Sequence, residues 1–137
     1  SSSSCAVTLR NDLTPGKYFW RVSAYIAGTW YPYGDSMHFT VADSPGLLAP
    51  SGTIATRNPT YQWRYLYGAT HYQIQLFSGT KLLAYRTVTT SVCKSNVCSV
   101  TLPVNLANGN YHFRVKAYVG GKWAEFGPSK NFTVLVN

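Results

Sequence analysis

The sequence predicts an all-β chain: an antiparallel β-sandwich of about seven short strands, preceded by the last three strands of a like module. Two observations carry this expectation. Apolar side chains alternate with polar ones over several short stretches bounded by turn residues, and no long window has a helical period. The chain also repeats itself: Gly16-Lys17-Tyr18-Phe19-Trp20-Arg21-Val22-Ser23-Ala24-Tyr25 returns about 93 residues later as Gly109-Asn110-Tyr111-His112-Phe113-Arg114-Val115-Lys116-Ala117-Tyr118.

Both copies place Tyr, an aromatic residue, Val and Ala at alternate positions, the mark of a strand with one buried face. The opposite positions hold Phe19, Arg21, Ser23 and Tyr25 in one copy, and His112, Arg114, Lys116 and Tyr118 in the other. At the same offset Cys5, Leu9 and Leu13 fall on Cys98, Leu102 and Leu106. Gly28, Trp30, Gly34, Ser36 and Phe39-Thr40-Val41 fall on Gly121, Trp123, Gly127, Ser129 and Phe132-Thr133-Val134. Roughly half of about 37 aligned positions are identical without a gap. Residues 43–92 have no counterpart within the chain. Residues 1–42 are therefore expected to be the C-terminal part of one module, and residues 43–137 a complete one.

The complete module reads as a succession of strands and turns. Asp43-Ser44-Pro45-Gly46 and Ala49-Pro50-Ser51-Gly52 bracket a turn-rich linker. Thr53-Ile54-Ala55 is a short first strand. Pro59 to Tyr65 alternates, with Tyr61, Trp63 and Tyr65 on one side. Gly68-Ala69-Thr70 turns the chain into His71 to Phe77, where Tyr72, Ile74 and Leu76 share a face. Ser78-Gly79-Thr80-Lys81 is a hairpin turn into Leu82 to Arg86. Ser99 to Leu102, the repeated stretch, and Asn131 to Val136 supply the remaining strands.

A family resemblance follows from these residues. Trp63 in an early strand, Leu102-x-x-x-Leu106 ahead of Gly109-x-Tyr111-x-Phe113-Arg114-Val115-x-Ala117, and a closing Phe132-x-Val134 resemble a fibronectin type III domain. The resemblance covers about residues 45–136 as a whole domain and residues 5–41 as its last three strands. It implies a tyrosine corner at Tyr111, and at Tyr18 by repetition, with the hydroxyl bonded to backbone a few residues upstream. A buried phenol needs such a partner in any case. Pro59-Thr60-Tyr61-x-Trp63 with Gly68-Ala69-Thr70-x-Tyr72 is similar to repeats of bacterial and archaeal secreted or surface proteins. Trp30 and Trp123 sit where the Trp-Ser box of cytokine receptors lies, although only its first Trp and final Ser are kept. That placement implies cation–π pairs of Arg21 with Trp30 and Arg114 with Trp123.

Cys93 and Cys98 enclose four residues, a spacing that closes a small disulfide loop. Cys5 matches Cys98, so its own partner is expected immediately ahead of Ser1, with residues 1–4 as the loop; a free buried thiol is the other reading. A disulfide implies an oxidising compartment, hence an extracellular or cell-surface protein. A metal site is the rival use of paired cysteines, and too few His or Cys stand nearby to complete four ligands.

The net charge is +8, from 12 basic and 4 acidic residues. Charge of this sign suits acidic polymers, but no basic run of five to eight residues occurs, which argues against a nucleic-acid partner. No apolar run reaches the roughly 18 residues of a membrane span, so no membrane insertion is expected. The acids Asp12, Asp35, Asp43 and Glu125 form no evident pair. His38, His71 and His112 lie on different strands, and no phosphate-cradling or dinucleotide fingerprint is present. The chain is therefore expected to be a non-enzyme without a cofactor. A candidate binding face remains, formed by His112, Arg114, Lys116 and Tyr118 with Gln73 and Gln75 on a neighbouring strand. It suits a glycan, and equally a plain solvated sheet, a neighbouring domain of the same chain, or a subunit of an assembly, filaments included. Asn131-Phe132-Thr133 is an N-glycosylation acceptor pattern. The role expected first is a structural or adhesive repeat of a larger extracellular protein; the second is a glycan-binding accessory of a polysaccharide-active protein.

Overall fold

A computed structural model describes residues 3–11 and 13–137. The expected bridge of Cys5 across residues 1–4 and the acid Asp12 fall wholly or partly outside the described residues. The chain divides into two compact units, Ser1–Ala42 and Asp43–Asn137.

In the first unit β1 (Gly16–Trp20) pairs antiparallel with β4 (Met37–Val41), Tyr18 opposite Phe39. Between them β2 (Tyr25–Ile26) and β3 (Thr29–Trp30) close a hairpin. Its two turn residues, Ala27 and Gly28, both have positive φ, 51° and 82°, as a type I′ turn requires. Residues 5–9, read from sequence as a third strand, form no ladder. The reason lies in the second unit, where the matching stretch is a strand only because another strand lies beside it. Cys5 is exposed, not buried.

The second unit begins with β5 (Leu47–Ala49), which occupies the stretch read from sequence as linker. Leu47 and Leu48 give it apolar side chains, and it lays along β7 (Thr60–Arg64) with Leu47 opposite Trp63. The chain then changes sheet through Pro50 into β6 (Gly52–Ile54). Beyond β7 come β8 (Ala69–Ser78) and β9 (Lys81–Thr89), a long hairpin turned at Gly79. A short 3-10 turn leads to β10 (Cys93–Lys94) and β11 (Val97–Thr101). The long β12 (Gly109–Val119), the short β13 (Lys122–Trp123) and β14 (Lys130–Val134) complete the unit.

One sheet has the order β10-β11-β7-β5. The other runs β6-β14-β12-β8-β9, with β13 on β12. All pairs are antiparallel except β6 with β14. The chain crosses between the two sheets in the manner of a fibronectin type III-like sandwich, and that is the fold of this unit.

The two inner faces meet through alternate residues of each strand: Tyr61 and Trp63, Tyr72, Ile74 and Leu76, Phe113, Val115 and Ala117, then Phe132 and Val134, all buried. Aromatic edges meet faces at the centre, Tyr61 against Phe113 at 5.2 Å and Trp63 against Tyr72 at 5.4 Å. The Tyr72 hydroxyl accepts from the Leu66 N–H at 2.9 Å. The Tyr61 hydroxyl and the Trp63 indole N–H find no hydrogen-bond partner among the described residues. Burial first, and Tyr111 second, hold the Tyr61 phenol well above the ordinary tyrosine pKa of 10.0.

Tyr61 stays neutral when folded, so its contribution is complete below the unfolded value near pH 10 and declines as pH rises through its higher folded value. Tyr61→Phe removes both an unpaired hydroxyl and this alkaline loss. It is expected to raise stability by about 1 kcal/mol and to flatten melting temperatures between about pH 8 and pH 11. A variant less stable than the parent at neutral pH would show that the hydroxyl is satisfied in solution.

Candidate functional site

The residues singled out as a binding face come together on the outer surface of β8 and β12. Arg114 stands opposite Gln75, Lys116 opposite Gln73, His112 opposite Phe77 and Tyr118 opposite His71. The alternation that buries Phe113, Val115 and Ala117 turns these four outward. They form a continuous column. His112 stacks on Phe77 at 5.1 Å and 4°. The Arg114 guanidinium lies between the rings of Phe77, at 5.1 Å, and Phe126, at 4.1 Å. Lys116 Nζ lies 4.9 Å from the Phe126 ring and 5.0 Å from that of Trp123. Trp123 meets Tyr118 edge to face at 5.3 Å, and Tyr118 meets His71 at 5.6 Å.

The cation–π pairs differ from those expected. Arg114 pairs with Phe126 and Phe77, not Trp123, and Arg21 lies 4.1 Å over Tyr33, not Trp30. Hairpin register is the cause. Trp123 stands directly opposite Tyr118, and Trp30 opposite Tyr25. Arg114 is four residues farther along its strand, roughly 13 Å away at the usual rise. The chain after the Trp runs back beside that strand: Ala124 N–H donates to Ala117 O at 2.9 Å, and Gly127 N–H to Val115 O at 3.4 Å. The third residue after the Trp thus arrives over the arginine, and an aromatic stands there in both units, Tyr33 and Phe126. Sequence reading missed these partners. The recurring Trp-x-x-aromatic spacing was the signal that could have found them.

Most polar groups of this face are engaged within the chain. Arg114 donates from Nε and Nη2 to Gln75 Oε1 at 2.9 and 2.8 Å. Gln73 Nε2 donates to Thr87 Oγ1 at 3.3 Å, and the Tyr118 hydroxyl to Gly121 O at 2.9 Å. The arginine thus has two rings within reach of its guanidinium and an amide oxygen accepting from it. Each cation–ring contact contributes about 0.5–1 kcal/mol at such a half-exposed place. The column can therefore brace β13 and the chain that follows it against the sheet.

At the other end of β12, the Tyr111 hydroxyl donates to Ala107 O at 2.9 Å, and the Tyr18 hydroxyl to Thr14 O at 2.7 Å. Each tyrosine also stacks on the phenylalanine opposite, both at 5.7 Å. Tyr111→Phe is expected to cost about 1 kcal/mol, read as a lower urea midpoint at unchanged slope. No change would place the hydroxyl's bond to water on an equal footing. Near this end an open groove of about 580 Å³ is lined by Asn110, Tyr111, His112, Asn131 and Thr133 with Gly52. Asn131 is exposed on β14, opposite His112.

Cys93 and Cys98 are joined as a disulfide across β10 and β11, where they stand opposite each other. His71 and His112 stand at opposite ends of the β8–β12 ladder, and His38 lies on β4 of the first unit. Among the described residues no group of three His, Cys, Asp or Glu side chains could hold a metal ion. No helix among them is long and apolar enough to cross a membrane.

No family model matches the chain, and no curated protein does. Among solved structures it is similar to the chicken interferon gamma receptor alpha chain, with 13% identity and a TM-score of 0.49 over 88% of this chain and 67% of that one. It is similar as well to the FN1–FN3 domains of chicken CNTN1, with 14% identity and a TM-score of 0.49. That overlay takes in 88% of this chain and 43% of the other, so the chain spans less than half of that structure.

Proposed function

We propose that the chain is a non-enzymatic structural or adhesive repeat of a larger secreted or cell-surface protein, in which successive modules present or space other parts of an assembly. The observation that carries this reading is the recurrence of one scaffold at one offset. Gly34 N–H donates to Val22 O and Tyr31 N–H to Ala24 O, as Gly127 does to Val115 and Ala124 to Ala117. The tyrosine corner, the stacked Tyr–Phe pair and the Trp-capped hairpin recur with them. What repeats is architecture, and repeated architecture suits spacing and presentation better than turnover. The Cys93–Cys98 disulfide supports an oxidising compartment.

Antibody raised against residues 43–137 is expected to label intact, unpermeabilised cells of the source organism or their medium. Cys93 and Cys98 should resist alkylation until reduced. Labelling confined to permeabilised cells, or direct alkylation of both thiols in freshly lysed cells, would remove the extracellular reading. Glycan-array binding that Arg114→Ala with Tyr118→Ala abolishes would replace it with the glycan-binding one.

A further inference from the structure

The acceptor pattern Asn131-Phe132-Thr133 lies within β14. Strand alternation sorts its three residues. Phe132 is 3% exposed in the core, while Asn131 is exposed on the outer surface with Thr133 on the same side. The amides of Asn108 and Asn110 are engaged, the first with the backbone of Val136 and the second with the Thr133 hydroxyl at 2.8 Å. The amide of Asn131 has no such partner among the described residues.

The fold does not require an asparagine at this place. Asn is disfavoured within strands, and the first unit builds the matching ladder without it. Tyr18 stands opposite Phe39 there as Tyr111 does opposite Phe132, and His38 takes the position of Asn131. The pattern is also single: Asn58-Pro59-Thr60 has the one middle residue that bars transfer, and no other Asn-x-Ser or Asn-x-Thr occurs in the sequence. Room for a bulky group is present. Asn131 lines the open groove of about 580 Å³ with His112 and Thr133. Gly52 and Gly79 line it as well, and a Cβ at either would meet nothing within 4 Å.

We propose that Asn131 carries an N-linked oligosaccharide in the mature protein. The inference rests on the extracellular reading, because transfer needs a lipid-linked oligosaccharide and its transferase, met on the way out of the cell. Asn131 Nδ2 forms a bond to C1 of the first sugar, and the C1–O bond to the lipid phosphate breaks. The amide proton passes to a base of the transferase, and nothing is oxidised or reduced. Thr133 supplies the hydroxyl that the acceptor pattern demands two residues on. The folded module holds the product without opening, since Phe132 does the packing and Asn131 faces outward. The sugar is rooted opposite His112, roughly 20 Å along β12 from Tyr118 at the usual rise. It therefore crowds the His112 end of the outer column and leaves the Trp123 end open.

The test is peptide mass spectrometry on the full protein isolated from its source organism. The peptide holding Asn131 is expected to bear an oligosaccharide. An amidase that releases N-glycans, used in heavy-oxygen water, should turn Asn131 into labelled aspartate and leave Asn58 unlabelled. Asn131→Gln and Thr133→Ala, made in the same organism, should each lose the whole oligosaccharide mass, and Thr133→Ser should keep it. A residue with a packing role alone would not divide these variants in that way. Asn131 found bare in protein whose Cys93–Cys98 bond is intact would overturn the proposal and leave the extracellular reading standing. Asn131 found bare with both thiols reduced would overturn both. An oligosaccharide that survives Asn131→Gln, or label that appears equally without the amidase, would also overturn it, the first by placing attachment elsewhere and the second by showing chemical deamidation.

Discussion

Val115→Asp is expected to unfold the second unit under conditions where Val22→Asp, the matching change in the first, leaves the melting profile unmoved. Val115 is enclosed in the core between the two sheets, and no basic group is buried with it to pair a carboxylate. An unpaired buried charge costs about 3–5 kcal/mol when removal of a partner creates it, and the lost methyl packing adds to that. A domain of ordinary stability has about 5–15 kcal/mol to lose. Val22 lies just past the end of β1 and is exposed, and an exposed substitution moves stability by about 0.5 kcal/mol or less. Calorimetry on the two single variants decides it. Comparable losses would mean that the first unit's face is covered in solution.

Trp63→Ala is the other large effect. The indole is fully buried at the centre of β7, with Tyr72 packed on it and β5 and β11 on either side. Truncating a core Trp to Ala costs about 3–5 kcal/mol through lost contacts and the cavity left behind. Its unpartnered N–H tempers the loss, because removing an unsatisfied donor recovers part of it. In a domain of this size each kcal/mol moves Tm by about 4–8 °C, so a drop of roughly 15 °C or more is expected. Urea denaturation should show a lower midpoint with an unchanged slope. A shift below about 5 °C would mean that the surrounding rings close over the gap.

Strand alternation made most of the second unit legible. Tyr61, Trp63, Tyr72, Ile74, Phe113 and Val115 stand at period two, and a period of two places them on one face whatever the pairing. The tyrosine corner was legible because a phenol at a strand end has few carbonyls to choose from. β5 was not, since Leu47 to Ala49 is flanked by Pro and Gly on both sides and becomes a strand only through the edge that β7 offers it. The third strand of the first unit failed for the converse reason: its sequence is a strand's, but no strand among the described residues lies beside it. Arg114 was correctly placed on the outer face. Its ring partners depended on how the loop after Trp123 folds back, which a repeat of residue types does not state by itself.

The parallel pairing of β6 with β14 has a mechanical corollary. Gly52 to Ile54 lie beside Phe132 to Val134 with the same polarity. A tether pulling the two ends of this unit apart draws these strands past one another, so their rungs are loaded together in shear instead of unzipping singly. Once β5 has peeled away, tension along a string of such modules would be borne at that short parallel clamp.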